Sequence, residues 1–147
     1  MIRRYQDSDW EEACRVVDLS KPYELQTAAV AASFVPLASD TARIEGFKKS
    51  AVYVWEEAGH LRGLVGHQDR FIGWLFVEPA AFRRGIAQAL LSHVLGRIAG
   101  DPWLWAMKEN HPALALYQKN GFTILEERLT ENGGLPCTAV RLGKKQP

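Results

Sequence analysis

The sequence has no P-loop: nowhere is a glycine followed, after four residues, by glycine, lysine and a hydroxyl. It has no three-glycine dinucleotide fingerprint behind a first strand either, so both of those phosphate cradles are excluded. An excess of charge of one sign is also missing. Eighteen Lys and Arg face seventeen Asp and Glu, a net charge of +1, which leaves no electrostatic footprint for nucleic acid or an anionic membrane. Any basic site must be local. Cysteine is scarce: Cys14 and Cys137 stand far apart without ligand-like spacing. They read as buried or half-buried small hydrophobes rather than a disulfide or a metal pair, and no metal is expected. The N-terminal MIRRYQDSDW has no apolar h-region, and no stretch approaches transmembrane length. Repeats and low-complexity segments are lacking too. The expectation is a cytoplasmic protein without membrane or nucleic-acid partners, a single domain over residues 1–147.

What is present is a globular composition, 47% hydrophobic and 24% charged, whose period changes along the chain. Ile2 to Tyr5 reads as a short strand, and DSDWEEACRVVDL as a helix capped by Ser8 or Asp7, with Trp10, Cys14 and Val17 at helical spacing. ELQTAAVAASF reads as a further helix, VPLASD as a break, and TARIEGFKK as a helix capped by Asp40. From Ala51 the chain turns aromatic and β-branched. Breaks at EEAG and HQD divide it into three antiparallel strands. Arg84 to Ala99 is the best helix: Ile86, Leu90, Leu91, Val94, Leu95 and Ile98 form one apolar stripe, and Gly100 is placed to end it. WLWAM reads as a buried strand and HPALALYQKNGF as a helix with Pro112 near its start and Gly121 past its end. Two more strands, FTILEERL and CTAVRLG, flank the ENGG turn. The order predicts a mixed α/β fold.

The local basic site is VEPAAFRRGIAQALL, Val77 to Leu91. The first amides of a helix have no internal partner, and the helix dipole adds positive charge there. A strand that feeds straight into such a helix offers those amides to an anion, most naturally a phosphate. Gly85 permits close approach, Ala87 keeps the first turn thin, and Arg83 and Arg84 can add charge-assisted hydrogen bonds. The plainer reading is that two arginines open a solvated helix.

Val77-Glu78-Pro79 followed by Gly85-Ile86-Ala87 resembles the acetyl-CoA signature of the GNAT superfamily of N-acetyltransferases, a Q/R-x-x-G-x-G/A turn between the fourth strand and the next helix. The leading Q/R position falls on Phe82. NHPALALYQKNGF is similar to the family's C-terminal motif, with Asn110, Tyr117, Gly121 and Phe122 on the matching positions. The resemblance implies a central, largely antiparallel sheet splayed between its fourth and fifth strands and flanked by helices. It implies acetyl-CoA as co-substrate, with its pyrophosphate on the turn and helix start formed by Arg83, Arg84, Gly85, Ile86, Ala87 and Gln88, and with Asn110 nearby. Main-chain groups of Leu75, Phe76 and Val77 would hold the pantetheine arm, and an N–H of Leu75 or Phe76 would meet the thioester oxygen. Tyr117 matches the family's general acid, a phenol of pKa ~10 able to donate at neutral pH.

The implied reaction is direct attack of a primary amine on acetyl-CoA in a ternary complex. An amine of pKa ~10.4 must first lose a proton. The strand FIGWLFV carries no carboxylate, and Glu56, Glu57, His67 and Asp69 lie at strand ends. His67, a glutamate or a water chain are the candidate bases. The family's acceptor pocket corresponds to SKPYELQTAAVAASFVPL and the last strands, where neither an acidic nor a basic cluster marks the acceptor. A small-molecule amine and a peptide amine both remain open, as does a homodimer. Two alternatives stand beside the enzyme: a CoA-binding protein that keeps the fold without catalysis, and an interaction module that binds no CoA.

Overall fold

The computed structural model describes residues 1–25, 35–132 and 135–146. Most of ELQTAAVAASF and the glycines of the ENGG turn lie outside the described residues. The elements run β1 (Ile2–Arg4), α1 (Trp10–Leu25), α2 (Thr41–Lys49), β2 (Ala51–Glu57), β3 (His60–Gln68), β4 (Phe71–Val77), α3 (Ile86–Leu95), β5 (Trp103–Met107), α4 (His111–Lys119), β6 (Thr123–Asn132) and β7 (Leu135–Gly143). The strands form one seven-stranded sheet in the order β1-β2-β3-β4-β5-β7-β6. Every pairing is antiparallel except β4 with β5. This is the expected mixed α/β sheet.

Two cores cover its faces. On one, Ala13, Val16 and Val17 of α1 and Phe47 of α2 pack on Val52, Val54, Leu64, Trp74 and Phe76. On the other, Ile86, Leu90, Leu91 and Val94 of α3 and Tyr117 of α4 pack on Val65, Ile72, Leu104, Val140 and Leu142. The α3 stripe therefore does what its 3.6-residue period requires. Gly63 lets α3 sit close: a β-carbon there would come 3.1 Å from Leu90 Cδ1 and 2.9 Å from the Phe76 carbonyl.

Three boundaries differ from the sequence expectations. The first helix is entered through a 3₁₀ turn at Asp7–Asp9, capped by Gln6 and not by Ser8 or Asp7. The Asp9 carboxylate is drawn instead to the Gln6 N–H at 2.8 Å and to a two-pronged pair with Arg3. Helix α1 also runs on through Pro22 to Leu25. Helix α3 stops at Leu95 with Gly96 as its C-cap, four residues before Gly100, because glycine gives the helix least and ends it first. Asp40 caps α2 as expected, accepting from the Arg43 N–H at 3.2 Å.

Two bulges shape the middle of the sheet. Trp55 pairs with Gly63 and Glu56 with Leu61, so Arg62 is an extra residue on β3. Gly66 pairs with Trp74 and His67 with Ile72, so Gly73 is an extra residue on β4. The second bulge inverts the side-chain phase: Ile72 belongs to the α3–α4 core, Trp74 and Phe76 to the α1–α2 core. Bulges bend a strand and raise its twist. Before this bend β4 and β5 share one pair, Phe71 with Trp103, and beyond it they part. The sheet is splayed where the sequence resemblance placed the splay.

The end of β4 is anchored by charge. Glu78 is 3% exposed and accepts from Arg15 of α1 at 2.6 Å and from the bulge residue Arg62 at 2.7 Å. Burial opposes ionisation of this carboxyl, but the two guanidiniums outweigh it and hold its pKa below the ordinary value of 4.5. A depressed folded pKa means the contribution is complete above 4.5 and is lost as pH falls through the folded value. Glu78→Gln is expected to lower the unfolding free energy by about 1.5–3 kcal/mol at neutral pH, the range for hydrogen bonds to charged groups. The difference from the parent protein should narrow below pH 4.5. Urea unfolding of both proteins at neutral and acid pH measures it, and a difference independent of pH would remove charge from the explanation.

Candidate active site

The parting of β4 and β5 leaves a cleft of about 700 Å³. One wall is the outer edge of β4, Leu75 to Val77, whose other edge is paired to β3. The facing wall is Trp105, Ala106 and Met107 of β5, paired on their far side to β7. Between the two strands, main-chain groups that a closed sheet would satisfy open onto the cleft, and such groups seek partners.

At one mouth stands the turn that the sequence singled out. A 3₁₀ turn at Pro79–Ala81 carries the chain to Phe82, after which Arg83 and Gly85 both adopt the left-handed region, at φ 63° and 78°. For Arg83 that conformation costs on the order of 1–3 kcal/mol. Gly85 is the N-cap of α3 and offers no side-chain hydrogen bond to it. The first bond closing the helix runs from the Ala89 N–H to the Gly85 carbonyl at 3.0 Å, so the amides of Ile86, Ala87 and Gln88 precede it. A β-carbon built on Gly85 would meet nothing within 4 Å. A bare helix start with open space before it can receive an anion's oxygens.

The structure divides the sequence-derived site residues. Leu75, Phe76, Val77, Arg83, Ala87, Asn110 and Tyr117 line the cleft. Gly85 shapes the turn, and Ile86 is 1% exposed, so its side chain serves the core and only its amide faces outward from the helix start. Arg84 pairs with Glu57 through two hydrogen bonds, at 3.0 and 2.5 Å. That partner, with the Trp55 indole, holds the Glu57 carboxyl down to about 2. The Gln88 side chain exchanges hydrogen bonds with Asn120 at 2.8 and 2.9 Å, joining α3 to the end of α4. Asn110 is the N-cap of α4, its side chain accepting from the Ala113 N–H at 3.4 Å. Tyr117 is 8% exposed, its ring 5.9 Å from Phe122.

His67 lies at the other end of β3, opposite Ile72 near the closed end of the splay, with Nδ1 2.9 Å from the Asp69 carbonyl. It does not line the cleft, and neither do Glu56, Glu57, Asp69, Trp55 or Trp74. Glu56 binds Arg3. Ser20 and Lys21, the start of the segment matched to the family's acceptor pocket, reach the cleft from α1, and Phe82 lines it at the Q/R position of the signature, while Trp105, Met107, Leu116 and Ala139 escaped the sequence reading. Among the described residues no Asp or Glu lines the cleft, and no group of three or more His, Cys, Asp or Glu could hold a metal. No described helix is long and apolar enough to cross a membrane.

Known proteins share both the fold and part of the sequence. Peptidyl-lysine N-acetyltransferase YiaC of Escherichia coli (strain K12) is 39% identical over 87 residues, which are 57% of this chain and 58% of that protein. The chain thus spans little more than half the length of this relative. A GCN5-related N-acetyltransferase from Rhodopseudomonas palustris superposes with a TM-score of 0.82 at 14% identity, over 99% of this chain and 95% of its own. The PaiA N-acetyltransferase of Thermoplasma acidophilum, solved with coenzyme A, does so with a TM-score of 0.78 at 15% identity, over 99% and 98%. Identities this low speak for the fold alone. The family described as acetyltransferase (GNAT) domain matches residues 48–124, from the end of α2 to the start of β6. That match takes in more than half of the chain, including β4, the turn and Tyr117, and by it the chain belongs to the GNAT acetyltransferase domain family.

Proposed function

We propose that residues 1–147 act as one domain that transfers an acetyl group from acetyl-CoA to a primary amine, both bound at once. The observation that carries this reading is the uncapped start of α3 at the mouth of the splayed cleft. There the amides of Ile86, Ala87 and Gln88, with the Arg83 guanidinium, suit a pyrophosphate. The bare edge of Leu75, Phe76 and Val77 suits a chain of amides that docks like an added strand. Acetyl-CoA would supply the thioester, and the names of related proteins agree with that choice.

The residues then divide the work. An N–H of Leu75 or Phe76 donates to the thioester oxygen as it gains negative charge. The amine nitrogen forms its bond to the acyl carbon as the carbon–sulfur bond breaks, and Tyr117 Oη donates the proton that the departing thiolate takes up. Since no described carboxylate or histidine lines the cleft, the amine gives up its proton to water. The burial of Tyr117 in the α3–α4 core fixes the phenol's direction, the requirement on any positioned acid.

Acetyl-CoA is expected to raise the melting temperature, because a ligand that binds only the folded chain stabilises it. At a hundredfold excess over Kd the gain is about 2.7 kcal/mol. No shift at millimolar acetyl-CoA removes both the enzyme and a silent CoA-binding protein from consideration. Tyr117→Phe should retain the shift and lower turnover by roughly 10²–10⁴-fold, the usual worth of a general acid. Unchanged turnover excludes that role.

Gly85→Val should lose the shift, since its branched side chain resists φ 78° and fills the open space before α3. Calorimetry with acetyl-CoA checks this. Undiminished binding would place the pyrophosphate elsewhere.

A further inference from the structure

The turn ahead of α3 is gripped from outside the cleft. Arg84 stands between Arg83 and Gly85, the two residues that adopt the left-handed region. Its guanidinium donates two hydrogen bonds to Glu57, at 3.0 and 2.5 Å. Glu57 ends β2, at the tip of the β2–β3 hairpin, and its carboxylate has other holders. The Trp55 indole Nε1 donates to it from β2 at 3.0 Å. Arg62, the extra residue of the β3 bulge, approaches it at 3.7 Å while donating to Glu78 at 2.7 Å. The carboxylate is thus fixed from the hairpin side, and a planar guanidinium that grips it at two points has its direction set. Neither Glu57 nor Arg84 lines the cleft.

A carboxylate in this place carries the wrong charge for a nearby anion. By Coulomb's law alone, neutralising Glu57 would favour a pyrophosphate at the start of α3, and Arg84 released from it would be a further cation for that ligand. The geometry argues the other way. Left-handed backbone at a residue with a side chain is unfavourable and needs neighbours that hold it. The Glu57–Arg84 clasp takes hold of the one residue between the two left-handed positions. An ion pair this exposed adds little to overall stability; what it can fix is the direction of the backbone beside it. We propose that Glu57 is a positioning residue for acetyl-CoA: through Arg84 it holds the Arg83–Gly85 turn in the shape that offers the α3 amides, and Arg84 acts by that clasp and not as a ligand of the phosphates. The proposal rests on the transferase reading above.

The two roles give opposite signs for Glu57. Calorimetry with acetyl-CoA at neutral pH reads Kd for the parent protein, Glu57→Gln, Arg84→Gln and the double variant. Each single variant should bind about tenfold more weakly, and the double variant should be no weaker than either, because all three remove one coupled contact. Arg84→Lys keeps the charge and loses the two-pronged grip, so it should bind as weakly as Arg84→Gln. In CoA release with one fixed amine, the loss should fall on KM for acetyl-CoA while kcat is kept. Urea midpoints of the free variants should stay close to the parent's. Unchanged or tighter binding in Glu57→Gln, full binding in Arg84→Lys, losses that add in the double variant, or a loss in kcat instead overturn the proposal and leave the transferase reading standing. Midpoints lowered in step with affinity make the pair a structural tie only and overturn it as well. No binding of acetyl-CoA by the parent protein overturns this proposal together with the transferase reading.

Discussion

Two parallel strands that meet at one residue pair cannot share a ladder. From Phe71 and Trp103 onward, β4 and β5 each keep one edge for something other than a strand. The sheet tolerates this because β4 is fully paired to β3 on one side and β5 to β7 on the other. The cause of the divergence lies within the strand: the extra residue at Gly73 bends β4 and rotates its outward face. The same bend sends Ile72 to one core and Trp74 with Phe76 to the other. A single inserted residue therefore opens the cleft and decides which side chains flank it.

The turn beyond β4 is held at its base. Glu78 binds Arg15 and Arg62, Arg62 also approaches Glu57 at 3.7 Å, and Glu57 binds Arg84. This ionic chain runs from α1 through both strand ends to the residue before Gly85. It brackets a segment in which Arg83 occupies a left-handed conformation unfavourable to a side chain. Strain of that kind persists only where neighbours over-determine the backbone, and here they do so on both sides. The result is a fixed arc of amides ahead of α3 with no side-chain cap among the described residues. Arg84, the more conspicuous arginine in the sequence, spends its charge on this scaffold, while Arg83 lines the cleft.

Much of this could be read from the residues. The apolar stripe located α3, and the aromatic, β-branched run with its breaks located the three central strands, which are packed on both faces. The turn and the Asn110–Phe122 segment were legible through their resemblance to the family's two motifs, with Gly85, Ala87, Asn110 and Tyr117 on the matching positions. What escaped was set by contacts between distant residues. Gln88 reads as part of the pyrophosphate turn, yet Asn120 takes its side-chain amide. His67 reads as a candidate base, but antiparallel pairing carries it to the closed end of the splay. Gly73 did carry a signal, since a lone glycine within a strand pattern marks a bulge. The N-cap of the first helix was missed because the chain enters it through a 3₁₀ turn in which Asp9, also held by Arg3, reaches back to the Gln6 N–H.

The two faces of the cleft answer to different rules. On the α3–α4 side, recognition of acetyl-CoA as proposed relies on main-chain groups, and main-chain groups depend on backbone shape more than on side-chain identity. Phe82 can then stand at the position where the family signature has Gln or Arg without removing the amides proposed to bind. On the α1 side the cleft is lined by side chains, Ser20, Lys21 and the Phe76 ring that Lys21 Nζ approaches at 5.9 Å. A substitution there changes the local potential without moving the turn, because the ionic anchor of Glu78 reaches α1 at Arg15, six positions before Lys21. The fold thereby separates the turn proposed for the co-substrate from the α1 side of the cleft. That separation is physical. The backbone arc is held by packing and by the ionic chain, while the α1 side of the cleft is set by the side chains of one helix.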